Sequence, residues 1–448
     1  MQILRVSDKL LTVRKINLFF IFFFLLICAL ADCKPAHEKT IKRHTDPIII
    51  TGNKLKSFVG VHIDKIRVYA EADGKLNPIP YQIDERKPDG DLAFSLGPHP
   101  SFDVDKGILD GNDELIFMTK DLGEKVSASD FPKGYIKKAE VMVKDPLTQG
   151  RGWAYVFSFR NPPPRSRVDY VSCLNECQQV KALNYETAFA KDAMIGFDKL
   201  AKTKEGGGSG KNTIDRLKIR ATTKTRFLPI TIKKTENDFT SELIAYIDGP
   251  VRVIRRTKNQ MYIFWKIPAP ASVIDNIYYY NFFLWPTAVN VPFDVGKLLR
   301  ECEFRVITDS NSRSMGRIFL NSNNLKGVVV DGKMSEAEKT LDLSPYKWSV
   351  LYGTKEGDTG AWMNRLIYDE NVKAQPMLFY MDDITVKEPP EREPGYFGAI
   401  GYNLKNMETL TAGEWKLTSI MYNIPIYRPG DEAEYLNIID HPIEITVR

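Results

Sequence analysis

The sequence is poor in the residues on which many enzymes and metalloproteins rely. It contains five histidines and five cysteines among 448 residues. The histidines are scattered. The chain has no His-x₃-His pair, no Cys-x-x-Cys-His haem motif and no Gly-x-Ser-x-Gly nucleophile turn. These absences argue against catalysis by a histidine-based dyad or triad.

An excess of charge of either sign is also missing. The 62 basic residues nearly balance the 57 acidic ones, which gives a formal net charge of +5. The densest basic group, Arg252, Arg255, Arg256 and Lys258, is interleaved with apolar residues and is expected to lie on a solvated strand face. A protein without a basic stripe lacks the electrostatic footprint of nucleic-acid binding.

A glycine-rich stretch from Glu205 to Lys211 has only a superficial similarity to a phosphate-binding loop. Glu205 holds the position of the first glycine, and Asn212 replaces the serine or threonine that would contact magnesium. We therefore predict a mobile loop here and no nucleotide binding.

Long apolar runs are confined to the N-terminus. Residues 16–30 are almost wholly apolar, follow three basic residues, and end at the small-x-small site Ala29-Leu30-Ala31. The run is shorter than the ~20 residues of a spanning helix. We predict a signal peptide over 1–31, export to the periplasm, outer surface or extracellular space, and no integral membrane segment after cleavage. An uncleaved anchor is the alternative, and Asp32 before Cys33 argues against lipidation.

Four cysteines remain after removal of the signal. In an oxidising compartment Cys173 and Cys177 can close a small loop, and we predict a disulfide between them. The same spacing occurs in some metal and redox sites, but no histidine lies nearby. Cys302, in a strand-like apolar segment, is expected to be a buried thiol.

The sequence contains many short segments with the alternation typical of β-strands. Residues 59–70 alternate apolar and polar side chains, as a half-buried strand does. Asp73-Gly74 is a tight-turn pair leading toward a second strand at 79–83. Similar segments follow along the chain without alternating helices. The pattern predicts an all-β, mostly antiparallel fold of two packed β-sandwich-like domains with little helix.

Proline marks the predicted division of the chain. Pro162-Pro163-Pro164 cannot donate to a strand ladder and ends the first run of strands. We predict a flexible lead at 32–46, an N-terminal β domain at 47–165, an irregular excursion at 166–213, and a C-terminal β-sandwich domain at 214–448.

Carboxylates concentrate between residues 81 and 118. Asp103-x-Asp105-x-Gly107, with Glu114 further on, superficially matches a calcium loop, but a glycine occupies a ligand position and flanking helices are missing. The acidic side chains either bind calcium in another geometry or only cap backbone N–H groups in turns, with no cofactor. The predicted calcium ligands are Asp103, Asp105, Asp110 and Glu114.

Two motifs flank this acidic stretch. They read Leu76-x-Pro78-Ile79-Pro80-Tyr81-Gln82-Ile83-Asp84-Glu85 and Asp110-x-Asn112-Asp113-Glu114-Leu115-x-Phe117-Met118. Together they resemble the opening of a group of secreted bacterial β-rich proteins of uncharacterised function. The resemblance implies export and a β-rich start, and it assigns no catalytic residue.

Aromatic residues are candidates for ligand binding. The run at 277–285 is the strongest, and a second group surrounds a loop at 353–365 that could line a cleft. Exposed tyrosine and tryptophan rings can stack on sugars, whereas an aromatic strand of a sandwich ordinarily fills the core. The predicted ligand-binding residues are Tyr280, Trp285, Trp362 and Tyr368.

Two functions fit these observations. The first is an exported, non-enzymatic protein that binds a glycan or another envelope component. The second is a polysaccharide-active lyase or hydrolase whose tyrosine, arginine and carboxylate groups transfer protons in a cleft. A deep groove with converging groups would favour the enzyme, and dispersed groups would favour the binding protein, which we prefer. The candidate catalytic residues are Tyr352, Arg365, Asp382 and Asp383.

Overall fold

The computed structural model describes residues 38–190, 196–264, 267–268, 271–369, 374 and 376–448. The predicted signal peptide at 1–31 lies outside these residues. The described chain is rich in antiparallel strands and has little helix, which confirms the predicted all-β fold. No helix within the described ranges is long and apolar enough to cross a membrane.

The strands and helices are numbered in chain order. The strands before the triple proline are β1 (Pro47–Thr51), β2 (Ile66–Ala72), β3 (Lys75–Pro78), β4 (Gln82–Asp84), β5 (Glu114–Met118), β6 (Tyr135–Lys144) and β7 (Arg151–Phe159). The next four are β8 (Val171–Leu174), β9 (Gln179–Ala182), β10 (Tyr185–Phe189) and β11 (Phe197–Lys202). The strands up to residue 310 are β12 (Ile214–Thr225), β13 (Thr231–Thr235), β14 (Phe239–Asp248), β15 (Val253–Phe264), β16 (Ile267–Pro268), β17 (Ser272–Tyr278), β18 (Phe282–Val291) and β19 (Leu299–Ser310). The last strands are β20 (Ile318–Asn321), β21 (Asn324–Val329), β22 (Trp348–Tyr352), β23 (Ala361–Tyr368), β24 (Pro376–Met381), β25 (Ala399–Leu404), β26 (Gly413–Ile424) and β27 (Glu444–Val447), and the helices are α1 (Glu336–Lys339) and α2 (Glu432–Asp440).

The N-terminal part is a sandwich of two sheets. A five-stranded sheet has the order β27-β6-β7-β2-β3, and a three-stranded sheet has the order β1-β5-β4. Alternate residues of both sheets meet in one core that includes Ile48, Val68, Phe117, Val141 and Val156. The last strand of the chain, β27, pairs with β6, so the C-terminal end returns to the N-terminal sandwich.

The segment before β1 is packed where it is described, which corrects the predicted flexible lead. Ile41 is buried in the N-terminal core. The Arg43 guanidinium pairs with the carboxylate of Asp46, and both side chains are buried. Burial of Ile41 holds this segment against the sandwich, and the Arg43 guanidinium fastens it to the C-terminal part by donating to the carbonyls of Asn437 and His441.

The expected irregular excursion at 166–213 instead contains a four-stranded sheet, in the order β11-β10-β9-β8. Its short strands carry alternating buried residues, a pattern too brief to stand out in the sequence. A disulfide joins Cys173 to Cys177 at the turn between β8 and β9.

The glycine-rich stretch, predicted to be mobile, is fixed in place. The carbonyl of Gly207 accepts hydrogen bonds from the amides of Thr359 and Gly360. A Cβ atom on Gly206 would lie 1.8 Å from the carbonyl oxygen of Asn184, so only glycine allows this approach.

The rest of the chain forms two larger sheets. A ten-stranded sheet runs β14-β15-β17-β18-β26-β23-β22-β20-β21, with β16 added beside β15. A five-stranded sheet runs β13-β12-β19-β25-β24. One face of the ten-stranded sheet packs on the four-stranded sheet and on the five-stranded sheet that contains β24 and β25. Its other face packs on β5 of the N-terminal sandwich and on α2.

The aromatic run at 277–285 is divided between these two faces. Phe282 points to the side of β5 and α2, and Phe283 points to the four-stranded sheet. Alternation along a strand sends successive side chains to opposite faces, so both halves of the run fill cores.

Candidate functional site

The predicted catalytic pair does not converge. Tyr352 is the register partner of Ala361 on the neighbouring strand. Arg365 is the partner of Trp348, four residues before Tyr352. Four steps along a strand separate the two backbones by about 13 Å.

Both side chains have structural partners. The Arg365 guanidinium donates to the carbonyl of Leu436, at 2.9 Å, and lies 2.5 Å from the carboxylate of Asp440. The ring of Tyr352 packs against that of Tyr427, with centroids 4.8 Å apart. These contacts attach α2 and its leading loop to the ten-stranded sheet.

The other two predicted catalytic residues, Asp382 and Asp383, also have structural roles, because their carboxylates accept hydrogen bonds in turns. Asp382 is fully buried and accepts hydrogen bonds from the amides of residues 331, 332 and 398. Burial raises the pKa of Asp382 to about 6 despite these donors. Asp383 accepts from the amide and hydroxyl of Thr385. Neither lies near Tyr352 or Arg365 in the strand order of the sheets.

The predicted sugar-stacking rings belong to cores. Trp362 is 4% exposed and Tyr280 is 7% exposed. Trp285 is half-buried, and its ring packs against the core beneath the four-stranded sheet, 5.1 Å from the ring of Phe197. Tyr368 packs against the core between the two larger sheets. A strand in the middle of a sandwich is covered on both faces, and this overrides the stacking interpretation.

The best-formed cavities among the described residues are small. They lie within the sandwich and have volumes of about 20 and 10 Å³, close to the room that one water molecule needs. None of the four predicted catalytic residues lines either of these cavities.

The basic cluster predicted to be solvated is largely buried. Arg252 is 3% exposed and Arg255 is 0% exposed. The guanidinium of Arg255 donates to the carbonyl of Cys177 and lies over the ring of Phe189, 3.3 Å from its centroid. Neighbouring sheets cover this face, which the sequence pattern alone could not reveal.

Glu114 is not part of the acidic group to which it was assigned. One carboxylate oxygen lies 2.6 Å from Arg252 and the other 2.8 Å from Arg86. Burial opposes ionisation of Glu114, but the two guanidinium groups hold its pKa below the ordinary value. The carboxylate is therefore committed to arginine.

The other three predicted calcium ligands lie together. One carboxylate oxygen from each of Asp103, Asp105 and Asp110 falls within 4.8 Å of the others. A hydrogen bond with Asp103, together with the negative charge of that residue, raises the pKa of the Asp105 carboxyl. Asp110 also accepts from the amides of Asn112 and Asp113, so it caps a turn as well.

A second group of charged residues occupies the outer face of the five-stranded sheet β13-β12-β19-β25-β24. Lys218 and Arg220 on β12 share this face with Arg305 and Asp309 on β19, because directly opposed residues in the register project to the same side. Residues 384–398, which we call the covering segment, cross over these side chains and contribute carboxylates. We call this group the charged face; its members are Lys218, Arg220, Arg305, Asp309, Glu388, Glu391 and Tyr396.

Lys218 is the centre of the charged face. Its ammonium group lies 2.7 Å from Asp309 and 2.9 Å from Glu391, and its side chain is fully buried. The same ammonium lies 4.4 Å from the centroid of the Tyr396 ring. Burial raises the pKa of Asp309 to about 7, although Lys218 acts in the opposite direction.

Glu388 ties the covering segment to two arginines. Arg305 lies 2.8 Å from its carboxylate, and Arg220 donates to its backbone carbonyl at 2.6 Å. The Tyr396 hydroxyl donates to the same carboxylate. Burial opposes ionisation of Glu388, but these donors keep its pKa below the ordinary value.

The charged face becomes accessible beside the covering segment. Glu303 and Phe379 are half-buried there, next to Arg305. The Asn403 amide nitrogen donates to Glu303 at 2.5 Å, and its buried amide oxygen accepts no hydrogen bond. The Arg305 guanidinium lies 5.5 Å from the centroid of the Phe379 ring. We call Glu303, Arg305, Phe379 and Asn403 the ledge.

Sequence reasoning missed both the charged face and the ledge. Lys218, Asp309 and Glu391 are far apart in the chain and match no short motif. The one usable signal is the alternation of Arg216, Lys218 and Arg220 with apolar residues, which predicts a polar sheet face but not what covers it.

Comparison with known proteins gives only distant similarity. No protein-family model matches the chain, and no curated protein matches it. The structure is similar to an alpha-mannosidase from Enterococcus faecalis V583, at 8% identity and a TM-score of 0.41, over 92% of this chain and 45% of that one. It is also similar to a glycosyl hydrolase family 38 protein from Enterococcus faecalis, at 7% identity and a TM-score of 0.43, over 92% and 46% of the two chains. This chain spans about half the length of these two structures, and TM-scores of this size establish no common activity.

Proposed function

We propose that the protein is an exported, non-enzymatic glycan-binding protein. Its ligand would bind on the ledge, which lies on the five-stranded sheet that contains β19, β24 and β25. The observation that carries this proposal is the buried amide oxygen of Asn403, which lacks a hydrogen-bond donor beside the half-buried ring of Phe379. A buried acceptor without a partner is costly. A ligand hydroxyl donating to it would remove that cost, and it would reach the oxygen only after the neighbouring side chains move aside, because the oxygen is buried.

The chemistry of the ledge suits a polysaccharide. Arg305 offers donors and Glu303 offers acceptors, and a sugar hydroxyl can use both. The face of Phe379 can cover the apolar C–H side of a sugar ring. A few polar groups placed around an aromatic ring are the usual composition of a small-ligand site.

The separation of the predicted catalytic residues also supports binding over catalysis. Tyr352 and Arg365 hold α2, and Asp382 and Asp383 hold turns. Each side chain is engaged in structure, so none is left to transfer protons together with another.

The test is retention on a panel of immobilised polysaccharides, measured with purified residues 32–448. We expect at least one polysaccharide to retain the protein without release of oligosaccharides. Arg305→Met keeps the aliphatic stem but removes the donors, and hydrogen bonds to a charged group are typically worth enough to weaken binding about tenfold.

Arg300→Met is the matched control. Arg300 is exposed and lies near the start of the same strand, outside the ledge. Equal retention of the Arg305 and Arg300 variants, or retention of the wild type by none of the polysaccharides, would contradict binding at the ledge.

A second candidate function is a polysaccharide lyase or hydrolase that uses the charged face. The observation favouring it is the group Asp309, Lys218 and Tyr396, in which a carboxyl with a pKa near 7 lies 2.7 Å from an ammonium. A carboxyl that titrates near neutrality suits general acid–base catalysis. Residues 384–398 would have to move, because Asp309 is fully buried.

Released oligosaccharides distinguish the two functions. Product formed by the wild type and lost in Asp309→Asn would establish catalysis at the charged face. Retention without product would support the binding protein.

A further inference from the structure

We propose that Asp103, Asp105 and Asp110 form a binding site for a divalent cation of the calcium type. The site is separate from the ledge and the charged face, and the inference does not depend on the proposed function.

The burial of Asp103 is the first argument. Asp103 is 7% exposed, and both of its carboxylate oxygens are buried without a hydrogen-bond partner when Asp103 and Asp105 are both ionised. The only alternative among these groups is a proton shared between the two carboxyls. One oxygen of Asp105 is also buried and unpartnered. Buried polar atoms almost always have a partner, and a buried carboxylate needs one most because its charge has lost its hydration.

The surrounding charge is the second argument. Three carboxylates bring an oxygen each to within 4.8 Å of one another. Among the described residues none of the three forms an ion pair with a lysine, arginine or histidine. The nearest basic residue in sequence, Lys106, instead places its ammonium over the ring of Phe102, 3.9 Å from the centroid. A cation bound between the carboxylates would balance charges that the protein itself leaves unopposed.

The nature of the ligands selects the type of cation. All three are carboxylate oxygens, which hard cations such as Ca²⁺ and Mg²⁺ prefer, whereas zinc sites are usually built from cysteine and histidine. Calcium takes six to eight oxygens in flexible geometry, and it accepts backbone carbonyls and water beside carboxylates. Three carboxylates supplied by one irregular loop suit calcium better than the strict octahedron of magnesium.

The site would stabilise the loop between β4 and β5. The amide of Gly107 donates to the Glu85 carboxylate, and the amide of Asp110 donates to Asp113 at 2.9 Å. Asp113 also accepts from the amide of Arg86 at 2.8 Å. A cation joining residues 103, 105 and 110 would therefore fasten this loop to the end of β4.

The experiment uses purified residues 32–448 freed of metal with EDTA and then dialysed. Calcium chloride is titrated by calorimetry at pH 7.5, and thermal unfolding is followed with and without it. Magnesium chloride is the comparison. We expect saturable binding of one Ca²⁺ per chain, a midpoint raised by about 3 °C at saturation, and a weaker response to Mg²⁺.

Asp103→Asn and Asp105→Asn test the two ligands separately. If one variant does not fold, the Ca²⁺ affinity of the other still tests the site. Each is expected to weaken Ca²⁺ binding by about tenfold or more, a loss that even outer partners of metal sites produce. Asp89→Asn is the control, since Asp89 lies in the same loop with an exposed side chain.

Three results would overturn the inference. One is the absence of Ca²⁺ binding by the folded wild type. Another is unchanged affinity in both folded variants. The third is an Asp103→Asn variant that is more stable than the wild type at every Ca²⁺ concentration, since this would mean that a shared proton, not a cation, occupies the cluster.

Discussion

The guanidinium of Arg252 lies 2.7 Å from the carboxylate of Asp84, although 168 residues separate them in the chain. Glu114 lies 2.6 Å from the same guanidinium. The amides of Val251 and Arg252 both donate to the side chain of Gln82, at 3.0 and 2.8 Å. One turn of the C-terminal part is thereby fastened to two strands of the N-terminal sandwich.

This contact gives the two flanking motifs a structural role. Gln82 and Asp84 come from the first motif, and Glu114 comes from the second. They meet because β4 and β5 are neighbours in one sheet, with Asp84 opposite Glu114 in the register. Residues of the two flanking motifs therefore join the N-terminal sandwich to the C-terminal part of the fold.

Removing Arg252 should strongly destabilise the protein. In Arg252→Met, Asp84 would keep a buried charge without an ionic partner, although Glu114 would keep Arg86, and we expect the free energy of unfolding to fall by about 3–5 kcal/mol. Denaturant unfolding measures the loss. The variant Arg252→Met/Asp84→Asn should recover much of it, because the buried charge left without an ionic partner is then gone and Glu114 still pairs with Arg86.

Lys258→Met is the matched control for Arg252. Lys258 is exposed and lies on β15, shortly after Arg252, so its loss should change the free energy of unfolding by less than about 0.5 kcal/mol. A loss of similar size in the two single variants would contradict the role assigned to Arg252.

The stability of the protein should carry a pH dependence from Asp309. Burial raises the pKa of this carboxyl from 3.8 to about 7. The protonated form is thus favoured in the folded chain, and its contribution is fully present below about pH 4 and is lost as the pH rises to about 7. Relative to Asp309→Asn, the wild type should lose up to about 4 kcal/mol of unfolding free energy across this range.

Denaturant unfolding at pH 4.5, 6.0 and 7.5 provides the measurement for Asp309. The comparison with Asp89→Asn, an exposed carboxylate, removes the general effect of pH. Curves for the wild type and Asp309→Asn that run parallel over the three pH values would show that Asp309 titrates normally.

The hydroxyl of Tyr396 should hold the covering segment in place. It donates to the Glu388 carboxylate, and a lost hydrogen bond to a charged group costs about 1.5–3 kcal/mol. In Tyr396→Phe we expect faster hydrogen exchange of amides in residues 384–398, measured by mass spectrometry, with little change in the ten-stranded sheet.

Tyr402→Phe serves as the control for Tyr396. Tyr402 lies on β25 of the same sheet and packs on the inner side, in the core between the two larger sheets. Exchange in 384–398 that is unchanged in Tyr396→Phe, or equally accelerated in Tyr402→Phe, would mean that this hydroxyl does not fasten the segment.

Local pattern was enough for the hairpin turn but not for the strand bounds or the path of the chain. The turn at Asp73-Gly74 predicts a hairpin, and the structure has one there. Its strands differ from the predicted ones: β2 begins at Ile66 and not at residue 59, and its partner is β3, whereas the predicted second strand at 79–83 overlaps β4, which pairs with β5 in the other sheet. The pattern could not show that β27 returns to the N-terminal sheet or that 166–213 contains four strands. Strand pairing over long distances depends on which edges are free, and this is a property of the assembled sheets.

The candidate site was only partly readable in the sequence. Asp103, Asp105 and Asp110 lie within eight positions of one another, so a short loop brings them together wherever the fold places it. Glu114 is also near in sequence, yet it faces Arg252. Its partner comes from a distant strand, and nothing local distinguishes a carboxylate that will meet a cation from one that will meet an arginine.

The sequence by itself determined the β-class, the hairpin turns and the alternation of Lys218 and Arg220 with apolar neighbours, because strand geometry imposes a period of two on any chain that adopts it. The tertiary structure alone decided that this polar face would be covered by residues 384–398 and paired with Asp309, Glu388 and Glu391. A local pattern says which side chains share a face. Whether that face meets water or another segment depends on what packs over it, and burial then decides whether a charge is a solvated surface group or a member of a buried network.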